Sequence, residues 1–290
     1  MKKRFTPCAA AILRTLSYRS IFKYPLSIYQ LATFLISDKP YKIRELEQAL
    51  ELLVRRHYAK EKNGLYSAYT TRTVDWKARA QYSQEFIKQN MWVLKLLGNI
   101  PWILLVGVTG STAAYNALGQ SDLDVLIVVR KNRLWVSRFF VVLLLKLVSK
   151  YPTKDGEPGK ICPNMYLDEE RLAWRKEHQN IYVAHDMLLM QPVINKKNAY
   201  LRLLQANGWV FTNFANYVVD LHTKLRKVKT NESFLFDWLD TVFMWVQVWY
   251  MKSKKTTEIA QKNFLHFNKY DNSSHVLHEY GRILAGKKLT

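Results

Sequence analysis

Only two cysteines, Cys8 and Cys162, occur in the 290 residues. So few exclude a disulfide framework and a cysteine-built zinc site, and a reducing cytoplasm fits them best. Long hydrophobic runs are also missing. The most apolar stretches, "WILLVGV" and "FFVVLLLKLV", fall well short of the roughly 20 residues that span a bilayer, so no membrane partner is expected. The opening "MKKRFTPCAAAILRTLSYRS" begins with basic residues, but Arg14 breaks its apolar part, which is too short for an export signal. Acidic residues are the third shortage: 23 Asp and Glu face 44 Lys and Arg, a formal charge of +21 that attracts polyanions. The excess is uneven. Residues 1–80 carry 16 basic against 6 acidic groups, residues 81–180 carry 13 against 9, and residues 181–290 carry 15 against 8. The ends are therefore the places to look for a nucleic-acid contact, with plain solubility as the alternative.

The patterning within residues 1–75 predicts three helices and a hairpin. "AAILRTLSYRSIF" and "LSIYQLATFLI" are helical runs separated by Tyr24-Pro25, and "KIRELEQALELLVRRHY" places Leu46, Ala49, Leu50 and Leu53 at helical spacing. Asn63-Gly64 in "AKEKNGLYSAY" is a strong hairpin signal. This order resembles a winged helix, whose third helix can enter a major groove. Arg44, Arg55 and Arg56 would lie on or near that helix, and Lys60 and Lys62 in the wing. The same charges could equally form a solvated face, and winged helices also serve as protein-interaction or spacer modules. A long amphipathic helix, "RTVDWKARAQYSQEFIKQNMWVLKLLGNIP", follows and ends at Gly98-Asn99.

The segment "VGVTGSTAAYNALGQSDLDVLIVV" carries the chemistry. A buried strand runs into Thr109-Gly110-Ser111-Thr112, "AAYNAL" favours helix, and "DLDVLIVV" is a second buried strand. A glycine at such a turn allows close approach of a ligand to the backbone, and the N–H groups at the helix start suit phosphate. Alternation places Asp122 and Asp124 on one strand face and Leu123 on the other. Two carboxylates at the mouth of an apolar strand repel each other and resist desolvation, which a divalent cation relieves. Mg²⁺ is the natural choice, because it takes one or two carboxylates plus phosphate and water oxygens. The plainer reading is a capped helix, with Ser111 as N-cap, beside a solvated strand edge.

Gly110, Ser111, Asp122 and Asp124 together resemble the motif of the nucleotidyltransferase superfamily typified by DNA polymerase β: Gly-Ser, about ten residues, then Asp-x-Asp. More broadly, the chain is similar to bacterial nucleotidyltransferase-like proteins with an N-terminal winged helix. The resemblance implies that Gly110, Ser111 and Thr112 hold the phosphates of a nucleoside triphosphate. Asp122 and Asp124 would hold Mg²⁺, two ions in the family pattern, for displacement at the α-phosphorus with pyrophosphate leaving. It also implies a third carboxylate on a neighbouring strand. The strand "ICPNMYLD" offers Cys162 and Asn164 there, neither of them an acid, and Asp168 lies beyond the expected strand end. Asn164 could bind a metal-linked water or a phosphate oxygen, but it cannot act as a base. The chain is therefore expected to be either a transferase with a reduced metal site or a degenerate nucleotide-binding regulator.

The remaining features point elsewhere. "DGEPGKI" lacks the spacing and the Ser/Thr of a phosphate loop. From residue 180 the pattern is mainly helical, and Trp238, Trp245 and Trp249 recur at a spacing that usually means packing. His185-Asp186 reads as structural, and His266, His275 and His278 lack a metal-ligand companion set. The expected architecture is α/β with large helical content. It comprises a winged-helix unit over 1–75, a nucleotidyltransferase domain with a mixed sheet over 76–179, and a helical domain over 180–290.

Overall fold

The computed structural model describes residues 5–153, 158–221, 234–251, 259–266 and 272–287. The N-terminal unit begins with α1 (Pro7–Ile21), where the Thr6 hydroxyl accepts from the Ala9 N–H and Pro7 occupies the first turn. A capping box between Ser27 and Gln30 starts α2 (Ile28–Thr33), directly after β1 (Leu26–Ser27). Helix α3 (Ile43–Arg55) turns Leu46, Ala49, Leu50 and Leu53 inward, as their spacing requires. Strands β2 (Ala59–Lys62) and β3 (Leu65–Ala68) form the hairpin, with Asn63 and Gly64 both at positive φ. β1 completes a three-stranded sheet in the order β1-β3-β2.

Helix α4 (Trp76–Gly98), capped by the Asp75 carboxylate, leads to a six-stranded sheet. Its members are β4 (Ile103–Val108), β5 (Leu123–Val129), β6 (Ile161–Asp168), β7 (Gln191–Asn195), β8 (Ile259–Gln261) and β9 (Phe264–His266), ordered β7-β4-β5-β6-β9-β8. Only β5 and β6 run parallel, and α6 (Leu134–Leu147) lies between them in sequence. The protein is thus mixed α/β with a mixed sheet. Leu123, Val125, Ile127 and Val129 of β5 face the core shared with α4 and α6. Leu126 and Val128 face the opposite core, which includes α7 (Ile181–Leu189), α8 (Ala199–Ala206) and α10 (Asn272–Lys287). Among the described residues no helix is long and apolar enough to cross a membrane.

Two expectations change here. The residues beyond 180 are not all helical: β7, β8 and β9 supply half of the central sheet, so the expected boundary at 179/180 falls within one continuous sheet. These strands have only three to five residues, too few for alternation to emerge beside long helical runs. The tryptophan stripe on α9 (Phe234–Met251) is not packing either, since Trp238, Trp245 and Trp249 are 57%, 68% and 79% exposed. Phe243, Met244 and Val248 provide the face packed toward the core, leaving the tryptophans on the outer one. The basic stretch within residues 252–258 and the part of the "DGEPGKI" loop at 154–157 lie outside the described residues.

Candidate functional site

The Gly-Ser turn connects β4 to α5 (Gly110–Ala113), a single helical turn. The expected longer helix over "AAYNAL" stops at Ala113, and Tyr115 takes a positive φ of 55°. Thr109, rather than Ser111, occupies the N-cap position, so the Ser111 side chain is exposed and is not the cap. Thr112 is buried and its hydroxyl has no hydrogen-bond partner. The loop after the turn is tied down by α4: Arg79 Nη1 donates to Asn116 Oδ1 (2.9 Å), and Ser83 Oγ accepts from the Ala117 N–H (3.1 Å). On the other side, Gln191 Nε2 of β7 donates to the Ala113 carbonyl (2.8 Å). Ordered anchors on both sides give the turn a fixed position.

Asp124 lies immediately beside it. The Thr109 N–H donates to the Asp124 carbonyl at 2.9 Å. Gly110 has φ +65°, and a Cβ placed there would sit 2.9 Å from Asp124 Oδ2. Only glycine permits this turn and this carboxylate to coexist unstrained. Asp122 stands two residues earlier, just before β5, and its Oδ1 accepts from the Lys160 N–H at 3.1 Å. Opposite them, β6 carries an extra residue between the Asp124–Cys162 and Leu126–Met165 pairs. This bulge accompanies a contact in which Asn164 Nδ2 donates to Asp124 Oδ1 at 3.1 Å. Cys162 is the direct register partner of Asp124.

The sequence pattern missed Asp186. Asp124 and Leu126 share the sheet face that packs on α7, and α7 brings the Asp186 carboxylate to the turn, where its Oδ1 accepts from the Gly110 N–H at 3.0 Å. Burial, then Asp186, then Asp122 raise the Asp124 carboxyl to about 7. Burial also holds Asp186 above the usual carboxylate range, partly offset by the Gly110 hydrogen bond. A lone acid in the apolar run "IYVAHDMLLM" was the available signal, because such a residue needs a partner. His185 points the other way, into the rings of Tyr18, Phe34 and Phe214. The two residues of the dipeptide thus face different surroundings, His185 the rings and Asp186 the Gly110 N–H.

The remaining candidates disperse. Asp168 ends β6 rather than following it, pairs with Val129, and lies five strand residues from the level of Asp124, about 16 Å away. Its carboxylate accepts from the Asn132 and Glu170 N–H groups, a structural role. Arg44, Arg55, Arg56 and Lys62 are exposed. Arg55 pairs with Glu51 on its own helix, and Lys60 donates to the Thr71 carbonyl.

Among the described residues no three His, Cys, Asp or Glu side chains already converge as a metal cage. Mg²⁺ does not require one. The donor set here is all oxygen, mutually repelling carboxylates beside a turn whose Gly110 N–H is held by Asp186, a set of the kind Mg²⁺ takes together with substrate oxygens and water. Compared with models of known families, with curated proteins and with solved structures, the chain finds no match.

Asp186→Ala is expected to leave the Gly110 N–H unpaired and to lower stability by about 1–3 kcal/mol. Asp186→Asn, whose amide oxygen can still accept and which removes a buried carboxyl that repels Asp124, should match or exceed the wild type in chemical denaturation near pH 8.

Proposed function

We propose that this cluster of carboxylates at the Gly110 turn is the catalytic centre of a Mg²⁺-dependent nucleotidyltransferase that moves a nucleoside monophosphate from a nucleoside triphosphate onto an acceptor, nucleic acid being favoured. The observation that carries the reading is the placement of Asp124 against the Gly110 turn, with the Asp122 and Asp186 carboxylates near enough to raise its carboxyl. Asp122 and Asp124 are the residues that hold Mg²⁺. When bound, the cation offsets charge on the triphosphate and on the leaving group. Gly110, Ser111 and Thr112 receive the terminal phosphates, which compete with Asp186 for the Gly110 N–H, and the exposed Ser111 hydroxyl donates to an oxygen. An acceptor oxygen attacks the α-phosphorus, the bond to the bridging oxygen breaks, and pyrophosphate leaves with the electron pair. Asp186, its carboxyl kept basic by burial, is placed to take the acceptor proton, and Asn164 orients Asp124. Asp186 thus answers the missing acid of β6 from a different element.

The first 75 residues, read as a winged helix, bring the acceptor. Their helices, hairpin and exposed Arg44, Arg56 and Lys62 support this. Exchanging these three for Glu should weaken nucleic-acid binding and flatten its salt dependence by about 0.9 per lost phosphate contact. A salt slope equal to that of the wild type would remove this surface from the interface.

A second reading, a non-catalytic nucleotide-binding regulator, is favoured by the absence of acids at Cys162 and Asn164. Incubation with each labelled triphosphate, Mg²⁺ and pooled RNA, DNA and protein acceptors separates the two. Transfer that disappears on Asp122→Ala supports catalysis. Nucleotide binding without transfer to any acceptor supports the regulator.

A further inference from the structure

Arg19 is a buried cation. It lies on α1 with 6% of its surface exposed, and among the described residues no carboxylate reaches ion-pair distance of it. Its Nη1 lies 3.4 Å from His185 Nε2, its guanidinium stacks 4.9 Å above the Tyr24 ring, and its Nε has no hydrogen-bond partner. His185 does not compensate the charge, because burial and Arg19 itself push the imidazole toward its neutral form. Burial lowers the arginine to about 10, with only the Tyr24 and Tyr18 rings opposing. Stranding a guanidinium in this way is costly unless something of opposite sign joins it.

The space for that group is present. A cavity of about 200 Å³ lies where α1 and α2 meet α5, and Arg19, Tyr24, Gln30, Phe34, Tyr115 and Gln191 line it. Tyr115 reaches it from a left-handed backbone conformation, φ 55°, which a bulky residue rarely adopts. Arg19 is the only cationic residue in the lining, and the rest is mainly aromatic and aliphatic. One positive charge in an apolar chamber selects a single negative charge on an apolar body, since a doubly charged phosphate would leave a net buried charge.

We propose that this cavity binds a small organic monocarboxylate with an aromatic or aliphatic body, its carboxylate paired with Arg19. The cavity adjoins α5, which also carries the Gly110 turn, but Asp122 and Asp124 do not line it and binding there does not depend on nucleotidyl transfer, so either reading can fail alone. It joins the N-terminal unit to α5 and, through His185, to the helix that carries Asp186.

Isothermal titration of the full chain with benzoate, phenylacetate and hexanoate, each against its neutral amide, tests this. At least one acid should bind about tenfold or more tighter than its amide. At a hundredfold excess over its dissociation constant it should raise the thermal midpoint by about 5 °C. Arg19→Met should abolish that preference. Ala114→Leu, which fills the cavity without touching the charge, should weaken binding even if the Arg19 variant fails to fold. The proposal is overturned if no acid binds below about 10 mM. It is equally overturned if acid and amide bind alike, if inorganic phosphate binds more tightly than every acid, or if Ala114→Leu binds as the wild type does.

Discussion

Asp124→Ala is expected to cut nucleotidyl transfer by about a thousandfold or more, the scale of losing a major electrostatic contact to the reacting phosphates. Asp124→Asn should do nearly as much damage while making the metal-free protein more stable. The reason lies in what surrounds the side chain. Burial, Asp186 and Asp122 raise its carboxyl to about 7, so between about pH 4 and 7 the folded protein holds a proton that the unfolded chain has released. Stability must fall as pH rises through that window, and above it the full cost of the charged form persists. Asp168, raised to about 6 mainly by burial, steepens the lower part of the same decline. Asparagine removes the Asp124 share, roughly 2–4 kcal/mol at pH 8. Chemical denaturation from pH 4 to 8 should show the wild type weakening and the Asn variant weakening less. Parallel curves would mean that Asp124 is not held in repulsion.

Gly110→Ala is expected to damage both stability and activity. The residue has φ +65°, where an L side chain is strained, and the added Cβ would lie 2.9 Å from Asp124 Oδ2. The backbone conformation alone costs about 1–2 kcal/mol. Relief requires the turn or the carboxylate to move, and the turn is held by Thr109, Asp186 and Gln191. Activity should therefore fall about a hundredfold or more, because misplacement near 1 Å is enough for that. Ser111→Ala, which removes a hydroxyl from an exposed position, should leave the thermal midpoint unchanged and reduce activity less. Equal thermal midpoints for Gly110→Ala and wild type would contradict the close approach.

The sequence made the first part of the site legible because its information is local. Period-two alternation along β5 sets Asp124 apart from Leu123 and Val125, and a glycine between strand and helix marks a turn. Asp186 was not legible in this way. Its position depends on α7 packing across the face that Asp124 shares with Leu126 and Val128, a contact between residues 62 positions apart. Asp168 failed for the converse reason: proximity in sequence to Asn164 hid the length of a strand that carries it to the opposite end of the sheet. The N-terminal helices and hairpin were readable from caps, a proline break and Asn63-Gly64. β7, β8 and β9 were not, because strands of three to five residues exist by virtue of the neighbours that pair with them. The tryptophans of α9 obeyed helical period but faced outward, since period assigns residues to a common face without saying which face is buried.

The central claim is that Asp122 and Asp124 grip a cation beside the Gly110 turn. Its most direct test is equilibrium binding of a non-hydrolysable nucleoside triphosphate analogue, with Mg²⁺ or with EDTA, to the wild type and to the Asp122→Asn/Asp124→Asn double variant. The expected result is binding about tenfold or more tighter with Mg²⁺ in the wild type, and no Mg²⁺ effect in the double variant. Binding that ignores Mg²⁺, or a Mg²⁺ effect that survives loss of both carboxylates, would contradict it.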